Sequence, residues 1–241
     1  MSGINWEAED AKYIWHPAMQ MKDNEVFPPV VIDHAKGCYL YDTHGKAYLD
    51  IISSWWCNLL GHANPEINAA LKQQVDELEH VIFTNFTHKP AIELARRLSE
   101  LLPAGLTKFT FHDNGSSAVE AALKMAFQYQ YQTGHPERTR FMGLPESYHG
   151  ETIGALSVGS MDLYAKIFHP MLMNNIHFKG LDCYRCPYGK TRETCGVECF
   201  EDAEAAFKKY GKETVACIVE PILQGAAGMR IYPAEYLRKL R

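Results

Sequence analysis

The sequence predicts an α/β protein with a parallel sheet, and three stretches predict it. Residues 108–131 alternate at Phe109 and Phe111, break at Asp113 to Ser116, and then place Val119, Ala122, Leu123, Ala126 and Phe127 at helical spacing. That pattern is a strand, a tight turn and a helix. Residues 214–219 are nearly all apolar, as in a parallel strand covered on both faces. Residues 26–52 carry only short strand signals, cut by turns at Lys36-Gly37 and Asp42-Thr43-His44-Gly45, the mark of a small antiparallel unit.

Composition narrows the functions. A chain of 241 residues that is 46% hydrophobic can bury a large core, as one domain or as one with a small second. Its net charge of −5 provides no electrostatic footprint for nucleic acid or anionic membrane. The first ten residues hold neither a basic nor an apolar leader region, and no apolar run is long enough to span a bilayer, so a cytoplasmic protein is expected. Seven cysteines in such a chain read as thiols or metal ligands before disulfides.

In chain order, residues 11–17 carry the aromatic side chains of Tyr13 and Trp15 and end at Pro17, a segment suited to packing across a groove or onto a partner subunit. Strands are expected at 30–32, 38–41 and 47–52. Ser53-Ser54-Trp55-Trp56 follows. Adjacent tryptophans point in different directions, so either one walls a cavity or both serve as core or dimer contact. Asn64-Pro65 opens a helix to about residue 79 and Pro90 another to about 101, each with one apolar face. His62, His80 and His88 have no metal-ligand spacing to a second histidine and are read as structural.

A strand at 140–144 leads into Tyr148-His149-Gly150, at the end of an open sheet where ligands gather. Tyr148 offers an aromatic face, and His149 a proton carrier or second ring. The competing reading is a loop pair packed on local backbone. Cys183, Cys186, Cys195 and Cys199 are spaced C-x2-C-x8-C-x3-C. Four thiolates at such intervals can close around zinc or hold an iron–sulfur cluster, against free thiols in a surface loop. A helix at 201–210 precedes the apolar strand, which ends at Glu220-Pro221. Pro233 opens a last helix, leaving a βα unit with no following strand, an unfinished crossover.

The turn at 113–116 is the candidate site. Ser117 and Glu120 have the form of a capping box, placing the helix start at Ser116 or Ser117. Gly115 lacks a β-carbon, so an anion can approach the amides of that helix start, where the dipole also favours negative charge. No G-x-G-x-x-G or G-x-x-x-x-G-K-[ST] is present, which leaves a single phosphate as the guest. The same junction also occurs in α/β proteins that bind nothing there.

The chain resembles the N-terminal part of class III (fold type I) pyridoxal-phosphate-dependent aminotransferases. The resemblance rests on Trp15-His16-Pro17, Ser53-Ser54-Trp55-Trp56, Thr87-His88-Lys89-Pro90-Ala91, Asp113-Asn114-Gly115-Ser116, Tyr148-His149-Gly150, and Glu220-Pro221 with Gln224-Gly225. The tryptophan pair and Trp15-His16-Pro17 narrow it to the branch that aminates 8-amino-7-oxononanoate (KAPA) in biotin synthesis. It implies a doubly wound, mainly parallel large domain over 64–241, preceded by residues 1–63 of a small domain, in a homodimer. It implies pyridoxal phosphate held at Gly115 and Ser116, with Tyr148 stacked near the ring, Glu220 close to the cofactor, and Trp55 and Tyr148 on the substrate.

Three features depart from the family pattern. The lysine that bonds the cofactor and the aspartate that pairs with its ring nitrogen match no position before Arg241, so the expectation is a fragment that does not transaminate alone. The aromatic residue that follows Trp-His-Pro and stacks on S-adenosylmethionine is Ala18 here, which leaves lysine or another amine open as donor. The four-cysteine loop has no catalytic use in the family. Competing classes are a relative acting on ω-amino acids or diamines, and a metal-stabilised, non-catalytic fragment.

Overall fold

A computed structural model describes residues 3–241 as two compact units, Met1–Leu106 and Thr107–Arg241. Helices 65–77 and 89–101, expected with the large domain, fall in the first.

The first unit opens with α1 (Trp6–Tyr13), capped by the Asn5 side chain. Its sheet is antiparallel, in the order β1 (Ile32–Lys36), β2 (Tyr39–Asp42) and β3 (Ala47–Leu49), with a bulge between Ile32 and His34. Asp42 holds the β2–β3 turn by accepting from the His44 and Lys46 amides at 2.9 and 2.8 Å. The turn labelled α2 (Ser53–Trp56) follows. Next are α3 (Pro65–Glu77), capped by Asn64, and α4 (Lys89–Leu101), capped by the His88 ring. Asn64 accepts from two orphan amides, and a proline early in each helix sits where its missing N–H costs nothing.

The second unit is a parallel three-stranded sheet, in the order β5 (Ile176–His177), β4 (Arg140–Gly143), β6 (Thr214–Ile218). Helix α5 (Gly115–Gln132) precedes β4. The short α6 (Ile153–Val158) and α7 (Asp162–Ala165) cross from β4 to β5, and α8 (Phe200–Tyr210) from β5 to β6. A two-stranded ribbon, β7 (Leu223–Gln224) and β8 (Arg230–Ile231), leads to α9 (Ala234–Leu240). Strand alternation sorts the core into two layers. Phe141 and Val215 pack with Leu123 and Val158 on the α5/α6 face, whereas Met142 and Cys217 pack with Ala203 and Tyr236 on the α8/α9 face. That double cover explains why 214–219 is apolar throughout.

Two expectations fail at the organising stretch. Phe109 and Phe111 lie in no strand among the described residues. Helix α5 begins at Gly115, one or two residues early. Asn114 is the cap, its side chain accepting from Ser117 N at 2.8 Å. Glu120 does not close a capping box: it accepts from the Thr152 hydroxyl and the Gly154 and Ala155 amides.

Candidate functional site

Three elements of the second unit bring Gly115, Ser116, Tyr148 and Glu220 together. Helix α5 presents its start. Among the described residues, the amides of Gly115 and Ser116 donate to no protein group, since Asn114 takes the amide of Ser117. A β-carbon added at Gly115 would meet no atom within 4 Å. Eighteen residues of aligned peptide dipole stand behind those two amides, so the opening fits a phosphate or another small anion.

The Tyr148 loop leaves the carboxyl end of β4 and lies against that opening. The Glu151 amide donates to Ser116 Oγ at 3.3 Å. Gly150, at φ +126°, lies so close that a β-carbon would fall 2.2 Å from the same oxygen. Only glycine serves there, for both space and backbone conformation. The Tyr148 hydroxyl donates to Glu151 Oε1 at 3.0 Å, and its ring meets Tyr164 edge-on with centroids 5.4 Å apart. Burial, reinforced by the neighbouring Glu151 carboxylate, pushes the Tyr148 phenol up to about 12. It stays a neutral hydrogen-bond donor.

Glu220, at the carboxyl end of β6, serves the loop rather than standing free. Its Oε1 accepts from Tyr148 N at 2.9 Å and its Oε2 from Gly225 N at 3.0 Å. The Tyr232 hydroxyl donates to the Glu220 carbonyl. The carboxylate thus joins the loops that follow two adjacent strand ends.

His149 differs from its tyrosine neighbour. Burial, with His177 adding repulsion, pushes its imidazole down to about 4, and its Nε2 is buried without a partner among the described residues. At neutral pH it is an uncharged ring.

In the first unit, Ser53, Ser54, Trp55 and Trp56 have φ of 49°, 46°, 64° and 67°, a left-handed turn of four non-glycine residues. Left-handed backbone costs about 1–2 kcal/mol per residue, so the turn must be held. Asp50 holds it by accepting from Ser54 N at 2.9 Å and Ser54 Oγ at 2.8 Å, and it pairs with His62 at 2.7 Å. The Ser54 amide, with His62, keeps the Asp50 carboxyl at about 2. The turn leaves Trp55 69% and Trp56 56% exposed, rings 6.5 Å apart. Neither tryptophan is core within this chain. His62 is structural, as expected.

The cysteine loop gives the metal expectation no support. All seven cysteines are free, and among the described residues no three of His, Cys, Asp or Glu are placed to hold a metal. Cys199 is buried in the apolar layer on the α8/α9 face, with Cys183 and Cys195 packed against it. Burial raises the Cys183 thiol and pushes that of Cys199 up to about 11.

The sequence reading missed Glu120, Glu151 and Asp50. Glu120 had a signal, but its spacing from Ser117 pointed to a local cap.

Comparison with known proteins follows this geometry. The family model for class-III aminotransferases matches residues 19–241. The chain is 44% identical over 233 residues to adenosylmethionine-8-amino-7-oxononanoate aminotransferase of Geobacter sulfurreducens, covering 96% of this chain and 51% of that protein. The crystal structure of the Methanocaldococcus jannaschii enzyme of the same name superposes with a TM-score of 0.86 at 38% identity, covering 96% of this chain and 50% of that one. An omega transaminase from Pseudomonas jessenii, solved in complex with PMP, gives a TM-score of 0.89 at 28% identity, covering 98% and 53%. The chain spans about half the length of the curated relatives it matches.

Proposed function

The chain belongs to the class III aminotransferases, and from that membership we propose that the whole protein transfers an amino group to 8-amino-7-oxononanoate, giving 7,8-diaminononanoate for biotin synthesis, with pyridoxal phosphate as cofactor. The observation that carries this reading is the pair of unused amides at Gly115 and Ser116, joined through Ser116 Oγ to the loop that carries Tyr148. An anion opening and an aromatic face side by side suit a phosphorylated ring. When bound, the cofactor supplies the electron sink for loosening the bond to an amine's α-hydrogen.

The chain's own residues have distinct tasks. The Gly115 and Ser116 amides bind the phosphate. Tyr148 sets its ring against the cofactor and keeps its hydroxyl proton at neutral pH. Glu220 fixes the Tyr148 backbone and approaches the cofactor through that loop. Trp55, exposed on its left-handed turn, contributes apolar surface to the substrate. These residues would bind and orient the cofactor and the substrate. The donor is S-adenosylmethionine, the compound in the relatives' names, with lysine as the alternative raised by Ala18. The setting is a cytoplasmic homodimer; no described helix is long and apolar enough to cross a membrane.

The test is turnover by the whole protein, its cofactor-bonding lysine included. It should aminate KAPA in preference to β-alanine or diamines, with S-adenosylmethionine tried against lysine as donor. Faster turnover of β-alanine or a diamine would overturn the substrate assignment.

A further inference from the structure

We infer that Glu120 is a positioning residue that couples the anion-binding start of α5 to the loop bearing Tyr148, so that a ligand held at one orders the other. This rests on the cofactor reading above.

The geometry is that of a cap supplied from another helix. Oε1 of Glu120 accepts from Thr152 Oγ1 at 2.6 Å, Gly154 N at 2.7 Å and Ala155 N at 3.2 Å. The last two amides belong to the first turn of α6, which an intrahelical bond cannot satisfy. Thr152 sits at the cap position of α6, yet its side chain makes no cap bond; its hydroxyl turns to Glu120 instead. Gly154 is pressed so tightly onto the carboxylate that a β-carbon would lie 2.2 Å from Oε2.

Both ends of the Tyr148 loop are thereby fixed from outside. Glu220 takes the Tyr148 amide at its beginning, and Glu120 takes the start of α6 at its end. Glu120 stands little more than one turn from the opening at Gly115, and Leu123, one turn further, is buried against the sheet. The Thr152 hydroxyl, with the two amides, holds the Glu120 carboxyl below its usual range, so the link is charged at neutral pH. Charge-assisted bonds of this kind are short and strong. Movement of the α5 start thus reaches residue 151 directly, through Ser116 Oγ, and residues 152–156 through the Glu120 carboxylate.

Hydrogen–deuterium exchange with and without pyridoxal phosphate tests this. In the unmodified protein, the ligand should slow amides 115–118 and also 151–156, the latter by about fivefold or more. In Glu120→Ala it should slow 115–118 and, through Ser116 Oγ, amide 151, but no longer 152–156, and Glu120→Gln, which keeps an acceptor, should restore part of the lost effect. Thr152→Val removes the shortest bond without touching the core. It should also weaken the slowing at 152–156, which keeps the test open if Glu120→Ala does not fold. Equal slowing at 152–156 in Glu120→Ala or Thr152→Val, or slowing confined to 115–118 and 151 in the unmodified protein, would overturn the coupling. If neither segment responds in the unmodified protein, the cofactor reading fails and this inference with it.

Discussion

His149 and Gly150 show how much of the site depends on single positions. A histidine with its imidazole pushed down to about 4 from 6.5 is neutral in the native state while the unfolded chain still binds a proton. Between those values stability therefore falls as pH falls, by up to about 3 kcal/mol from this group at the acid end. His149→Gln should flatten the dependence of the urea midpoint on pH between 4 and 6.5, and an unchanged slope would contradict the assignment. Gly150→Ala should cost about 1–3 kcal/mol in urea unfolding, since it meets both a positive φ and Ser116 Oγ. Gly115, Tyr148 and Glu220 stood out in the sequence because Gly115 lies at a helix start and the other two in the loops that follow apolar strands. Glu120 was not legible in its true role. Its partners lie 32 to 35 residues away, and a local cap requires the same residue at the same spacing.

Elements differ in how well their ends announce themselves. Helix α3 begins where Asn64-Pro65 places it and α4 one residue before Pro90, because cap and proline act within one turn. Phe109 and Phe111, expected in a strand, lie in none among the described residues. The turn at Ser53–Trp56 had no signal: four left-handed residues without glycine are set by Asp50, not by their own propensity. Ser53→Gly should remove one strained position and raise stability by about 1 kcal/mol, read as a shift in urea midpoint. A loss of stability would show that the turn is not strained. Leu123 anchors α5 on the sheet beside Phe141, Val158 and Val215. Leu123→Ala should cost about 2–5 kcal/mol in the same measurement, and a cost under 1 kcal/mol would mean that α5 is not anchored there.

Across the molecule, the two units differ in what they bury. Every buried apolar side chain among the described residues lies in the second unit. In the first, Ile67, Leu71 and Val75 of α3 and Ile92 and Leu94 of α4 are exposed, although each helix has the apolar face its spacing predicts. Large uncovered apolar surface calls for a partner. The chain by itself should bind a hydrophobic dye and self-associate with rising concentration in sedimentation; a dye-negative monomer would contradict this. A crystal structure of the whole protein with pyridoxal phosphate decides whether the start of α5 holds the cofactor's phosphate. The phosphate should accept from the Gly115 and Ser116 amides with the ring against Tyr148; a phosphate bound elsewhere, with those amides still unused, would contradict it.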